Sequence, residues 1–128
     1  MKSAEIAVDI LLVEDDELVL DILGEALDLA GLDTARHTTA ESALKEITRA
    51  APNFVVTDIN LGAGMDGLEL GRTARAQFPN LPVVYISGRY PEVRGLTEFE
   101  RFLLKPFPAA LLLRTIDDLR ASVALGAA

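Results

Sequence analysis

The chain alternates short apolar runs with longer amphipathic ones. Ile6 to Val13, "IAVDILLV", is dense in Val, Ile and Leu and reads as a buried strand. Glu17 to Ala30, "ELVLDILGEALDLA", sets Leu18, Ile22, Leu29 and their neighbours at helical spacing, with Gly31 as a stop signal. "LDTARH" is the weakest strand pattern, and Thr39 is the expected N-cap of the helix "AESALKEITRA". "NFVVTD", Asn53 to Asp58, is a short buried-strand pattern after Pro52. Gly67 to about Phe78 predicts a helix closed by Pro79. "LPVVYIS" is the clearest strand, "FERFLLK" the fifth, and "PAALLLRTIDDLRASVAL" a terminal helix with Pro108 near its first turn.

Strands apolar nearly throughout, separated by helices, imply a parallel sheet covered on both faces. The expectation is an α/β, doubly wound, five-stranded three-layer sandwich. One segment breaks the alternation. "SGRYPEVRGLTE", from Ser87, carries Pro91 and Gly95 and is a poor helix former, so the fourth helix should be short, irregular or absent. Residues 1–128 read as one domain with its core at about 9–119, no output domain, and a starting Met that suggests a complete chain.

The formal charge of −8 argues against direct nucleic-acid binding and against anionic membrane surfaces. No cysteine is present, which removes disulfides, thiolate nucleophiles and thiolate metal sites. The N-terminal apolar run is too short for a signal peptide, and no stretch approaches the roughly 20 apolar residues of a spanning helix. Cytoplasmic location without membrane insertion is the expectation.

Ligands of open α/β sheets bind beyond the carboxyl ends of the strands. There the first strand delivers Glu14, Asp15 and Asp16, the third Asp58, the fourth Ser87 and the fifth Lys105. Two carboxylates about 4 Å apart repel by about 4 kcal/mol at an effective dielectric of about 20, so the acids require solvent, a cation or a positive side chain. Mg²⁺ suits oxygen donors that leave room for water and phosphate; zinc does not suit a chain with one histidine and no cysteine.

This constellation resembles the receiver domain of two-component response regulators, with Glu14 and Asp15 in "LLVEDDE", Asp58 in "VVTDINL", Ser87 in "VVYISG" and Lys105 in "LLKPF". The likeness runs from about Asp9 to about Leu119. It implies a flavodoxin-like (βα)5 sandwich in which Asp58 accepts a phosphoryl group from a phosphohistidine of a sensor histidine kinase or histidine phosphotransfer protein. It further implies Mg²⁺, or Mn²⁺ in its place, on Asp15, Asp58 and the Asn60 backbone carbonyl, with Glu14 acting through a water. Lys105 and Ser87 would hold phosphoryl oxygens, Phe102 would be the switch aromatic, and Asn60 and Arg89 would modulate dephosphorylation. The Lys105–Pro106 bond would be cis. Asp16 is left to face solvent or cap the first helix. Such a domain catalyses its own phosphorylation and dephosphorylation without conventional turnover. It signals to a downstream protein by docking, by relay or as a phosphate sink, as a monomer or weak dimer.

The loop after Asp58, "INLGAGMDG", lacks the family's usual proline and is one residue longer, which predicts a more mobile loop. "YISGRYPE" is similar to a subgroup of stand-alone and kinase-fused receivers. Taken singly, an acidic run after a strand is most often a solvated loop with a helix cap, and a Lys-Pro most often a turn. Four such coincidences at one sheet edge are improbable together. His37, the only histidine, reads as a surface residue. Among rivals, a haloacid-dehalogenase-like phosphatase needs a second acid two positions beyond its nucleophile, where this chain has Asn60. A flavodoxin-type nucleotide module needs a Gly- or Ser/Thr-rich loop where this chain has acids. A pseudo-receiver that binds without phosphorylation is disfavoured by the complete set of site residues.

Overall fold

The computed structural model describes residues 8–89 and 93–127. Along the chain run β1 (Ile10–Val13), α1 (Glu17–Leu29), β2 (Thr34–His37), α2 (Ala40–Arg49), β3 (Phe54–Asp58), α3 (Gly67–Gln77), β4 (Val83–Ser87), β5 (Glu100–Leu104) and α4 (Ala109–Ala127). The strands form one parallel sheet in the order β2-β1-β3-β4-β5. Alternate residues of each strand face opposite sides. Ile10, Leu12, Phe54, Val56, Val84, Ile86 and Leu103 pack under α1 and α4. Leu11, Val13, Val55, Val83 and Tyr85 pack under α2 and α3. The strand order therefore reverses between β1 and β3, with a helical layer on each face, as the alternation predicts.

The first strand is shorter than its apolar run. Asp9 turns out of the ladder, its carboxylate accepting from the Asp33 N–H (2.9 Å) and the Asn53 side chain (3.2 Å), and residues 6 and 7 lie outside the described stretch. In α1 the apolar positions that mark the helix are not the ones it buries. Leu18, Ile22 and Leu29 are 69%, 59% and 90% exposed, whereas Leu20, Leu23 and Leu27 enter the core. Both sets satisfy the helical period, so the cap and packing decide the phase. Asp16 accepts from the Leu18 and Val19 N–H groups, and Arg36 lies across Gly24 to reach Asp21 (3.4 Å) and Asp28 (2.8 Å). Thr39 caps α2 as expected, and Asp66 with Glu69 forms a capping box on α3.

His37 is a correction. It is half-buried, with Nδ1 at 2.9 Å from Ser42 Oγ and Nε2 at 2.9 Å from Glu46 Oε1, because α2 folds back over the end of β2. Between β4 and β5 the described residues form no helix; Tyr90, which carries the subgroup likeness, lies outside them. A guanidinium organises that edge. Arg75 of α3 donates to the carbonyls of Pro79 (2.7 Å) and Leu81 (3.0 Å) and to Thr97 Oγ1 (3.2 Å), and it lies 3.7 Å from Glu100. Glu100 in turn accepts from the Tyr85 hydroxyl at 2.8 Å.

The start of α3 is pressed against the end of β3. A methyl group on Gly67 would stand 2.1 Å from the Asp58 carbonyl oxygen and 2.9 Å from Ile59 Cα, both backbone atoms that cannot step aside. Gly67→Ala should therefore cost about 1–3 kcal/mol by overpacking. Urea unfolding measures it, and a variant as stable as wild type would contradict this packing.

Candidate functional site

The sheet register brings the chemistry together. Val13 pairs with Thr57, Asp58 with Ile86, and Ser87 with Leu104, so the residues at or just past each strand's carboxyl end share one edge. Backbone bonds continue the ladder beyond the strands. The Glu14 N–H donates to the His37 carbonyl (3.0 Å), that of Ile59 to Ile86 (2.8 Å), and that of Lys105 to Ser87 (2.7 Å). The Lys105–Pro106 peptide is cis, as the resemblance implied.

Glu14 and Asp58 are 1% and 5% exposed, a degree of burial that carboxylates reach only when paired. Lys105 is the partner of both: its Nζ lies 2.6 Å from Glu14 Oε1 and 3.2 Å from Asp58 Oδ2. The Asp16 N–H donates to the other Glu14 oxygen (3.2 Å) and the Asn60 N–H to Asp58 Oδ1 (3.3 Å). Burial pushes the Glu14 carboxyl up to about 7, against the Lys105 and Asp16 bonds that favour ionisation, and the nearby Asp58 charge adds to the rise. Burial alone would lower the Lys105 ammonium, but its bond to Glu14 and its attraction to both acids outweigh this and hold it above its ordinary value. Glu14 and Asp58 are thus balanced mainly by one ammonium, while Asp15 and Asp16 are exposed.

Asp15 differs from Glu14 and Asp58 in being exposed. Glu14, Asp15 and Asp58 each bring one oxygen to a common place, all within 4.8 Å of one another, and among the described residues this is the one such cluster of acids and histidines. An all-oxygen set with one side open to solvent fits Mg²⁺, which retains waters and takes a small number of carboxylates. Asp16 stands apart as the α1 cap, as anticipated.

On the opposite wall, the buried Ser87 Oγ accepts from Asn60 Nδ2 and from the Arg89 N–H, both at 3.3 Å. Phe102 sits in β5 opposite Tyr85 in the register, half-buried against the α2/α3 side of the core. Glu41 escaped the sequence reading altogether. It accepts from the Met65 N–H at 2.8 Å, within the loop that joins β3 to α3. It lies in the first turn of α2, where acids are common for helix-dipole reasons alone, so the sequence carries no signal of the bond.

A doubly wound parallel sheet with a buried aspartate, an acidic pocket and a lysine at its switch point defines a receiver-type α/β module. The response regulator receiver domain matches residues 10–117, and the chain belongs to that family. It is 38% identical over 125 residues to the response regulator protein FleR of Pseudomonas aeruginosa, covering 94% of this chain and 25% of that protein. It is 33% identical over 121 residues to the nitrogen assimilation regulatory protein NtrX of Azorhizobium caulinodans, covering 88% and 27%. The chain thus spans about a quarter of the length of these relatives. A response regulator receiver protein from Sinorhizobium medicae superposes with a TM-score of 0.81 at 31% identity over 91% of this chain and 97% of that one. A CheY-like receiver from Methanospirillum hungatei superposes at 0.85 with 25% identity over 94% and 99%. The chain is a receiver domain of the two-component type, a family whose members take Mg²⁺ at an acidic pocket and receive their signal from histidine kinases.

An acid raised in the fold stabilises it below its ordinary value of 4.5 and loses that contribution as the pH climbs through about 7. Lys105 limits this loss by favouring ionised Glu14. Lys105→Met should therefore be destabilised by about 3 kcal/mol near pH 8, the cost of breaking a buried pair, and by clearly less near pH 5. Urea unfolding in the presence of a chelator tests this, and a deficit independent of pH would refute the pairing.

Proposed function

We propose that Asp58 is the phosphoacceptor. The observation that carries this reading is the seating of its carboxylate: nearly buried, gripped by Lys105 and the Asn60 N–H, and beside the one exposed acid of the cluster. One Asp58 oxygen attacks phosphorus of a phosphohistidine in line. The new O–P bond forms as the P–N bond to the donor imidazole breaks, and the ring leaves with its electron pair and takes up a proton. Phosphoryl transfer asks a protein mainly for position and charge compensation. Asp15, Asp58 and the Asn60 carbonyl would hold Mg²⁺, or Mn²⁺, with Glu14 reached through a water; when bound, the ion supplies positive charge to the phosphoryl oxygens. Lys105 contributes a further charge, exchanging part of its bond to Asp58 for a phosphoryl oxygen.

Ser87 is the second group to respond. Its hydroxyl accepts two hydrogen bonds in this state and keeps its own proton to donate to a phosphoryl oxygen. Its inward movement frees space near Phe102, whose ring then changes the surface offered to a downstream protein. Asn60 and Arg89 flank the path of a hydrolytic water and set the lifetime of the aspartyl phosphate. The donor is a sensor histidine kinase or a histidine phosphotransfer protein, met in the cytoplasm, and no direct nucleic-acid contact is assigned to this domain. Among the described residues no helix is long and apolar enough to cross a membrane.

Incubation with acetyl phosphate and Mg²⁺, read by intact mass, should add one phosphoryl group to wild type and none to Asp58→Asn. Chelation should abolish the gain. A folded wild type that gains nothing, beside a control receiver that is labelled, would favour a module that binds at the acidic pocket without chemistry.

A further inference from the structure

The loop from Ile59 to Asp66 links the proposed phosphoacceptor strand to α3. Its ends are closed by the Gly67 N–H on the Ile59 carbonyl at 2.9 Å. Leu61 is buried and anchors the first half. Gly62 and Gly64 take φ of 79° and 90°, the left-handed region that favours glycine, so a side chain at either position would strain the tip. No proline stiffens it. What holds its far side is a side chain from another helix: Glu41 Oε2 accepts the Met65 N–H at 2.8 Å. The fit around that oxygen is close, since a methyl group on Gly64 would stand 2.6 Å from it. The Met65 bond holds the Glu41 carboxyl below its ordinary range, so the acceptor is ionised at neutral pH.

The same loop borders the acidic pocket on its near side. The Asn60 N–H donates to Asp58, its side chain donates to Ser87, and a methyl group on Gly62 would lie 3.9 Å from Asp15 Oδ2. One short segment therefore touches α2 through Glu41 and the acidic pocket through Asn60, with Gly62 close to Asp15. We propose that Glu41 is a positioning residue, whose carboxylate latches the loop at Met65 and thereby sets how tightly the acidic pocket takes Mg²⁺ and how readily Asp58 is phosphorylated. This rests on the phosphoacceptor reading of Asp58. Glu41 touches no reacting atom. It acts by keeping Asn60 and Gly62 in register with the carboxylates.

The test compares wild type, Glu41→Ala, Glu41→Gln and Gly64→Ala by three readings. They are hydrogen exchange at the Met65 amide, Mg²⁺ affinity by calorimetry, and the Mg²⁺ concentration giving half-maximal labelling by acetyl phosphate. Loss of one hydrogen bond should weaken Mg²⁺ and raise the half-saturating concentration by about three- to tenfold in Glu41→Ala, with faster Met65 exchange. Glu41→Gln retains an acceptor oxygen and should recover most of both, a rescue that a general loss of stability would not show. Gly64→Ala crowds the same oxygen and also strains the tip, so it should lose at least as much as Glu41→Ala. Unaltered Met65 exchange in Glu41→Ala would overturn the latch. Faster exchange with unchanged Mg²⁺ dependence would overturn its positioning role. If wild type takes no label at any Mg²⁺ concentration, the phosphoacceptor reading falls instead, and unchanged calorimetry and exchange in Glu41→Ala would then still overturn the latch.

Discussion

The contact on which the functional end of the molecule depends is the ammonium of Lys105 between Glu14 and Asp58, at 2.6 and 3.2 Å. A parallel sheet delivers every carboxyl end to the same edge, and here that edge receives acids from two adjacent strands. Without a cation between them, two nearly buried carboxylates would repel each other and strain the strand ends apart. The lysine comes from a strand two places away from Asp58, so it also ties β5 across β4 to the sheet centre. A single side chain thus joins the electrostatics of the site to the closure of the fold.

Much of this arrangement was legible in the chain. Five apolar runs gave the five strands, and the chemistry-bearing residues at their ends converge as the alternation demands. The caps by Asp16 and Thr39 follow from side-chain chemistry, and the lack of a helix among the described residues between β4 and β5 agrees with the poor helix-forming sequence there. What escaped is instructive. Leu18, Ile22 and Leu29 obey helical periodicity as well as Leu20, Leu23 and Leu27 do, and periodicity fixes a spacing but not a phase. His37 read as a surface residue because its partners, Ser42 and Glu46, are set by how α2 lies on β2, a tertiary fact. Glu41 was invisible for the same reason: its partner is a backbone N–H more than twenty positions away.

The close approach of Gly67 to Asp58 shows how the loop and the reactive residue constrain each other. The α3 helix begins where the chain has just left β3, and its first residue rests on the Asp58 carbonyl. The Asp66–Glu69 capping box then fixes the direction of the helix from that point. Between Asp58 and Gly67 the chain has eight residues to leave the sheet edge and return. Burial of Leu61 and left-handed glycines at 62 and 64 are how it does so without lifting Asp58 from its seat.

At the far edge of the sheet, where the described residues form no helix, a different consequence follows. A helix there would spread its hold over many small apolar contacts, each replaceable by a similar residue. Arg75 instead gathers the same duty into one planar group that holds Pro79, Leu81 and Thr97 together, with Glu100 and Tyr85 behind it. Lysine, with a point charge in place of a fork, could not meet those directions at once. The chain has exchanged redundancy for economy on this side. The hold on this side therefore rests on one residue, whose loss would release Pro79, Leu81, Thr97 and Glu100 at once.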